Sequence, residues 1–276
     1  MKLLQYKNED GMVTAITCRN DSLDCFYGSC PQCKDRVSLG KMSDVEDVNT
    51  WYHKWMTQLV ERPGAKNKVY KVDIVSRVRI ECSVNQLALE FEKESPVYLK
   101  HVYNARHQHK AVRNTRENLS ENQVLVVNDF SANYLGESAE ETHDTHFGAS
   151  KKQISLHTGV LYYKDCESGE IVCKTFCTRS ESCRHDPPAL WAHLEPVITL
   201  IRDYVPDVDE FHFQSDGPTT QYRNKSNFYF FHEFYRSSKL KFATWNLTAP
   251  GHGKSTADGV DGTVKSMCDR HVANSD

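Results

Sequence analysis

The sequence predicts an α/β fold: a mixed β-sheet flanked by helices, preceded by an N-terminal, mainly helical region that contains cysteines. Three observations carry this. The β-branched run Gln123 to Asn128 (QVLVVN) reads as a buried strand. Ile154 to Tyr163 and Glu170 to Thr178 are two further strands, joined over Lys164 to Gly169 by a polar turn of hairpin length. Beyond them, apolar stripes of helical period alternate with short strands. The chain has 276 residues, 39% hydrophobic and 26% charged, which leaves room for a large core and excludes a disulfide-stapled miniprotein. Three segments follow: a Cys-containing region over 1–83, a helical linker over 84–120, and a catalytic core over 121–276.

In the first segment, alternation at Val72, Ile74, Val78 and Ile80 predicts one or two short strands. The second reads as helix from Val84 to Leu119, with a break at Ser95-Pro96 where a second helix starts. That second helix turns Leu99, Val102 and Tyr103 inward. Arg106, Lys110 and Arg113 share another side, as a phosphate-tracking stripe or an ordinary solvated face. In the third segment, Asp186-Pro187 caps a helix carrying Leu190, Leu194, Val197, Ile198 and Ile201, with Pro196 expected to bend it. A strand at Glu210 to Gln214, a helix around Ser226 to Arg236, a strand at Lys241 to Leu247 and a helix from about Ser255 complete the order. Three strands and then helix, strand, helix, strand, helix is the order associated with ribonuclease H-like folds.

Composition narrows the function classes. With 34 basic and 37 acidic residues the net charge is −3, so nucleic-acid binding has to come from local patches. No run approaches the roughly 18 apolar residues that span a bilayer, and no membrane partner is expected. The opening Met1 to Gly11 lacks an apolar targeting region, which leads to an intracellular expectation and gives little weight to the Asn-x-Ser/Thr triplets at Asn118, Asn224 and Asn246. Ten cysteines in such a chain are thiols or metal ligands. Cys18, Cys25, Cys30 and Cys33 have a spacing that can supply four thiolates to one tetrahedral Zn²⁺, although only one C-x2-C unit is present and buried thiols explain it too.

The acidic residues point to chemistry. Asp129 ends the first strand of the core, Asp216 the fourth, and Asp258 opens the helix after the fifth. Neighbouring strand ends form the crevice where α/β sheets bind ligands. Carboxylates gathered there repel one another unless a hard divalent cation, Mg²⁺ or Mn²⁺, lies between them. Two such ions at a phosphodiester support phosphoryl transfer on nucleic acid. Asp261 lies one turn beyond Asp258 and competes for the third place; Asp258 is favoured. Arg223 and Lys225, after Asp216, and His252 and Lys254, before Asp258, are expected to bind substrate phosphate. Gly253-Lys254-Ser255 fails as a P-loop, because the first glycine of that motif falls at Thr248.

DFSANY (Asp129 to Tyr134), HFGASKKQISLHTGVLYY (His146 to Tyr163), RHDPPALWAHLEP (Arg184 to Pro196), SDGPTTQYRNK (Ser215 to Lys225) and GHGKSTADGVDGTVK (Gly251 to Lys265) resemble transposon-derived animal proteins with DDE-transposase, ribonuclease H-like cores. The resemblance covers roughly residues 84 to 270. It implies a catalytic and metal-binding triad of Asp129, Asp216 and Asp258, two Mg²⁺ or Mn²⁺ ions, DNA as substrate, strand cleavage and joining, and a nuclear setting, with a homo-oligomer allowed. The family favours Gly at position 261, which supports Asp258. The chain ends 18 residues after Asp258, so an inactive, domesticated remnant that binds DNA or protein is the alternative expectation.

Overall fold

The buried run begins at Gln123 and lies at the centre of a five-stranded sheet. The computed structural model describes residues 8–36, 47–63, 69–135, 153–249, 251 and 255–273. Its chain divides into two compact units, Met1–Tyr103 and Asn104–Asp276.

In the second unit the strands are β3 (Gln123–Phe130), β4 (Ser155–Lys164), β5 (Ile171–Ser180), β6 (Glu210–Ser215) and β7 (Phe242–Leu247), in spatial order β5-β4-β3-β6-β7. β3, β4 and β5 pair antiparallel, whereas β6 runs parallel to β3 and β7 parallel to β6. Helices α4 (Pro187–Tyr204), α5 (Lys225–Ser237) and α6 (Thr256–Ala273) follow β5, β6 and β7 in turn. This is the mixed, helix-flanked sheet that the element order predicts, and its arrangement is ribonuclease H-like.

Each apolar pattern has a partner. Val124, Val126 and Phe130 pack with Leu190, Leu194, Val197 and Ile201 of α4, while the alternate residues Leu125 and Val127 pack on the opposite face with Val160, Tyr162 and Val260 of α6. A strand covered on both faces has no need to alternate, which is why QVLVVN is continuously apolar. Phe213 stacks on Trp245 at 4.8 Å between centroids, and Phe211 meets Phe234 edge-on at 5.3 Å. Gly159 admits close packing here: a β-carbon would lie 2.3 Å from the Phe176 ring and 2.5 Å from the Val127 carbonyl oxygen. The β4–β5 turn closes through Gly169, at φ +70°, and through the Asp165 carboxylate, which accepts from the Ser168 amide at 2.9 Å. Asp186 caps α4 as expected, accepting from the Ala189 amide at 3.2 Å, and the helix continues through Pro196.

The first unit has a different build. Short helices α1 (Glu9–Ile16) and α2 (Leu23–Tyr27) pack Val13, Ile16 and Phe26 against Leu99 of α3 (Val84–Glu117). Tyr98, Val102 and Tyr103 join that cluster, so the inward face read from the sequence is present. The expected break at Ser95-Pro96 is not: α3 is one helix with Pro96 inside it. Contacts on both sides of the proline hold it. Lys54 bridges Glu90 and Glu94 before it, Leu99 is buried after it, and the Ser95 hydroxyl donates to the Phe91 carbonyl at 2.6 Å.

The alternation at Val72 to Ile80 lies within one strand, β2 (Val69–Ser83), longer than the sequence pattern alone suggested. It pairs along its whole length with β1 (Asn49–Pro63) in a two-stranded ribbon. Its even-numbered residues from Ile74 to Ile80 are half-buried, whereas Trp55, Leu59 and Val75 are exposed.

Candidate functional site

The three acids approach because of register. Val127 of β3 pairs with Gln214 of β6, so Asp129 and Asp216, each two residues further on, emerge side by side. Asp129 pairs across β4 with Thr158, whose hydroxyl donates to the Ala257 carbonyl at 3.2 Å. That bond lays the start of α6, and with it Asp258, over the end of β3. At the exit of β6, Ser215 Oγ accepts from the Trp245 indole at 3.0 Å, and the Thr248 amide donates to the Ser215 carbonyl at 3.0 Å, which ties β7 to the strand carrying Asp216. Gln108 of α3 holds the chain leaving β7, accepting from the Ala249 amide at 2.7 Å and donating to the Leu247 carbonyl at 3.0 Å.

Electrostatics record the convergence. Burial, followed by the charges of Asp216 and Asp258, raises the Asp129 carboxyl from 3.8 to about 7. The Phe130 amide and the Tyr222 hydroxyl pull the other way, since both stabilise its ionised form. Burial and then Asp258 raise Asp216 from 3.8 to about 6. One oxygen of Asp216, Oδ1, is buried and has no hydrogen-bond partner. Asp258 is exposed, and its Oδ2 accepts from the Ser255 amide at 2.6 Å while Ser255 Oγ accepts from the Ala257 amide at 3.1 Å. This reciprocal pair caps α6 and sets the angle at which Asp258 leaves the helix. Asp261 pairs through Oδ2 with Lys265 at 3.1 Å within α6, its charge acts on Cys177 of β5, and its Oδ1 is buried without a hydrogen-bond partner.

Tyr222 is a residue of this cluster that sequence reading missed. It is fully buried, accepts from the Phe130 amide at 2.8 Å and hydrogen-bonds the Asp129 carboxylate, so one phenol spans the backbone and side chain at the end of β3. Burial, then the charges of Asp129 and Asp216, holds that phenol well above the usual range. The only sequence signal was an aromatic residue inside the polar block SDGPTTQYRNK. A cleft of about 260 Å³ is lined by Arg113, Arg116, Val127, Gln214 and Ser255, the last three only two or three residues from the acids along the chain, so one member of the basic stripe opens onto it. Arg223 and Lys225 are exposed on either side of Asn224, which caps α5 by accepting from the Asn227 amide at 3.0 Å. His252 and Lys254 lie outside the described residues.

Next to the acids is a layer of neutral histidines. The Phe130 ring stacks on His185 at 4.5 Å and lies 4.7 Å from His157. His157 is fully buried and hydrogen-bonds Asn128 Oδ1 at 3.2 Å; burial, then His193 and His185, lowers it from 6.5 to about 3, so it is uncharged at neutral pH.

Asp129, Asp216 and Asp258 offer oxygen donors, the type of ligand a hard divalent ion takes, and one oxygen of Asp216 is buried without a partner, but the three do not form one of the tight ligand groups found among the described residues. In the first unit Cys18, Cys25, Cys30 and Cys33 have their sulfurs all within 4.8 Å of one another, the only group of three or more such ligands that does so among the described residues. That quartet can hold zinc.

Comparison with known proteins adds the following. No curated protein matches the chain. Among solved structures, it is similar to the Mos1 transposase, determined as a paired-end complex with left transposon end, over 62% of this chain at 8% identity and a TM-score of 0.32. The match spans 48% of that chain, about half its length. Among the described residues no helix is long and apolar enough to cross a membrane. A family profile matches residues 108–276, from Gln108, which holds the β7 exit, through all three acids to the last residue. The chain that builds this sheet and gathers these carboxylates therefore belongs to the family described as Domain of unknown function (DUF8701).

Proposed function

We propose that the protein carries out DDE-transposase-like phosphoryl transfer on DNA, cleaving and joining strands in the nucleus, with Asp129, Asp216 and Asp258 as its catalytic acids. The observation that carries this reading is the convergence of three like-charged groups from β3, the β6 exit and α6, two of them raised to about 7 and about 6 by burial and mutual repulsion. A folded protein gains nothing in stability from such a cluster, since each carboxylate destabilises its neighbours. Carboxylates perturbed by burial and by one another are therefore candidates for a functional site.

Asp129, Asp216 and Asp258 would hold Mg²⁺ or Mn²⁺. When bound, two such ions supply activation of a water or 3′-hydroxyl and stabilisation of the leaving oxygen. The chain's own residues do the rest. Tyr222 orients Asp129 by donating to its carboxylate while anchored on the Phe130 amide. The Ser255 amide orients Asp258. Arg113 and Arg116, in the cleft wall, provide cationic donors for backbone phosphates, and Arg223 and Lys225 extend that role next to Asp216.

The test is a Mg²⁺- or Mn²⁺-dependent cleavage and strand-transfer assay on the wild type, Asp129→Ala and Asp216→Ala. Activity lost in both variants, with the fold kept by circular dichroism, supports the reading. Activity unaffected by either change overturns the triad. An inactive wild type that retains salt-sensitive DNA binding establishes the domesticated remnant in its place.

A further inference from the structure

The acidic site leaves the N-terminal thiols unused, and their placement supports an inference that does not depend on the reading above. We propose that Cys18, Cys25, Cys30 and Cys33 form a structural zinc site, and that the ion completes the core of the N-terminal unit. Each ligand is delivered by a separate local device. Cys18 follows the C-cap of α1, where Thr17 donates its hydroxyl to the Val13 carbonyl at 2.7 Å. Cys25 lies within α2. Gly28, at φ +77°, ends that helix in the left-handed region, and the amides of Ser29 and Cys30 both donate to the Asp24 carbonyl, at 2.9 and 3.1 Å. The chain then turns tightly from Cys30 to Cys33, whose amide donates to the Cys30 carbonyl at 3.3 Å, with Lys34 donating to the same oxygen at 3.0 Å. A C-x2-C pair in such a turn presents both sulfurs to one side.

The distances select the chemistry. The Cys18 sulfur lies 3.4 Å from that of Cys25 and 3.5 Å from that of Cys30, and no pair exceeds 4.8 Å. A disulfide requires about 2.05 Å. Four sulfurs around zinc at about 2.3 Å stand about 3.8 Å apart along each tetrahedral edge, close to the spacing found. Four cysteines fill every tetrahedral position and leave none for substrate, which makes the site structural rather than catalytic.

The core gives the reason for an ion. Cys25, Cys30 and Cys33 are three of the seven buried residues that hold α1, α2 and α3 together, with Val13, Ile16, Phe26 and Leu99. So few apolar side chains bury little surface, and small units of this kind depend on metals or cross-links for stability. α1 and α2 have eight and five residues, too short to be stable as isolated helices.

The full-length chain, purified without chelator from zinc-supplemented cells, is expected to carry a single zinc ion per molecule by elemental analysis. Cys30→Ser/Cys33→Ser is expected to lose it, and Cys166→Ser/Cys173→Ser, at two exposed thiols, to keep it. Because the first double variant can misfold, Co²⁺ exchanged into the wild type provides a second readout: intense thiolate-to-metal charge-transfer and tetrahedral ligand-field bands. Limited proteolysis then compares the zinc-loaded wild type with the same protein after chelation, and chelation is expected to expose cleavage sites within residues 8–36. A metal-free wild type, iron in place of zinc, zinc retained by Cys30→Ser/Cys33→Ser, or a Cys18–Cys25 disulfide in the native protein would each overturn the proposal.

Discussion

The two units of this chain solve the same problem with different materials. Asn104–Asp276 builds its core from a sheet covered on both faces, with β3 alternating Val124 and Val126 toward α4 and Leu125 and Val127 toward α6. Met1–Tyr103 has two short helices, a ribbon whose Trp55 is 69% exposed, and a buried cluster nearly half of which is cysteine. One unit buries a large apolar core and carries three like-charged carboxylates at its rim. The other, among its described residues, buries few apolar side chains, leaves Trp55, Leu59 and Val75 exposed, and gathers four thiols. A small core of that kind is the setting in which a bound metal adds most to stability.

Zinc removal is the largest expected perturbation. Metal binding to a set of four thiolates contributes on the order of 10 kcal/mol of folding free energy. A chelator should therefore erase the N-terminal calorimetric transition and leave that of the sheet in place; equal shifts of both would break the comparison. The acidic cluster comes next. Asp129→Ala and Asp216→Ala should each lower metal-dependent cleavage about a thousand-fold, equivalent to about 4 kcal/mol of transition-state stabilisation. By contrast Leu194→Ala, at a fully buried position of α4, should cost about 2–5 kcal/mol in denaturant unfolding of the sheet unit. A cost below about 1 kcal/mol would mean that the core is looser than described.

A smaller effect has a definite sign. Asp129 and Asp216 hold protons in the folded state up to about 7 and about 6, but only to about 3.8 in the unfolded chain. Between those limits the folded state binds more protons, so the metal-free sheet unit loses stability as pH rises from about 4 to about 7 and levels off above. Asp129→Asn should flatten that slope and raise the melting temperature at about pH 8 by a few degrees; a steeper slope in the variant would refute the assignment. Added Mg²⁺ should stabilise the wild type more as pH climbs through the same window, since metal and proton compete for the same oxygens. Tyr222→Phe, the smallest change, removes one hydroxyl, should cost about 1–2 kcal/mol by leaving the Phe130 amide unpaired, and should move the pH dependence of Mg²⁺ stabilisation upward.

Much of this was legible in residue order. The eight elements of the sheet unit follow from periodicity and caps, and observed boundaries differ from expected ones by a residue or two: Gln123–Phe130 for Gln123 to Asn128, Ser155–Lys164 for Ile154 to Tyr163. Pro96 misled because its cost in a helix is local, whereas the Lys54 bridges and the burial of Leu99 come from distant chain. The ribbon partner β1 gave little pattern, since a strand with both faces largely exposed has no reason to alternate. Tyr222 was missed because a phenol that reaches back to the end of β3 from beyond β6 leaves no spacing signature.

By itself the sequence determined the kinds and order of the elements in the sheet unit and the acids and thiols available for chemistry, because periodicity, caps and side-chain type act over a few residues. Only the tertiary structure brought the charge of Asp258 to bear on the other two acids, left Asp216 with a buried oxygen without a partner, and placed four cysteine sulfurs within 4.8 Å of one another. Those outcomes depend on strand register, helix placement and burial, and each is set by groups far apart in the chain.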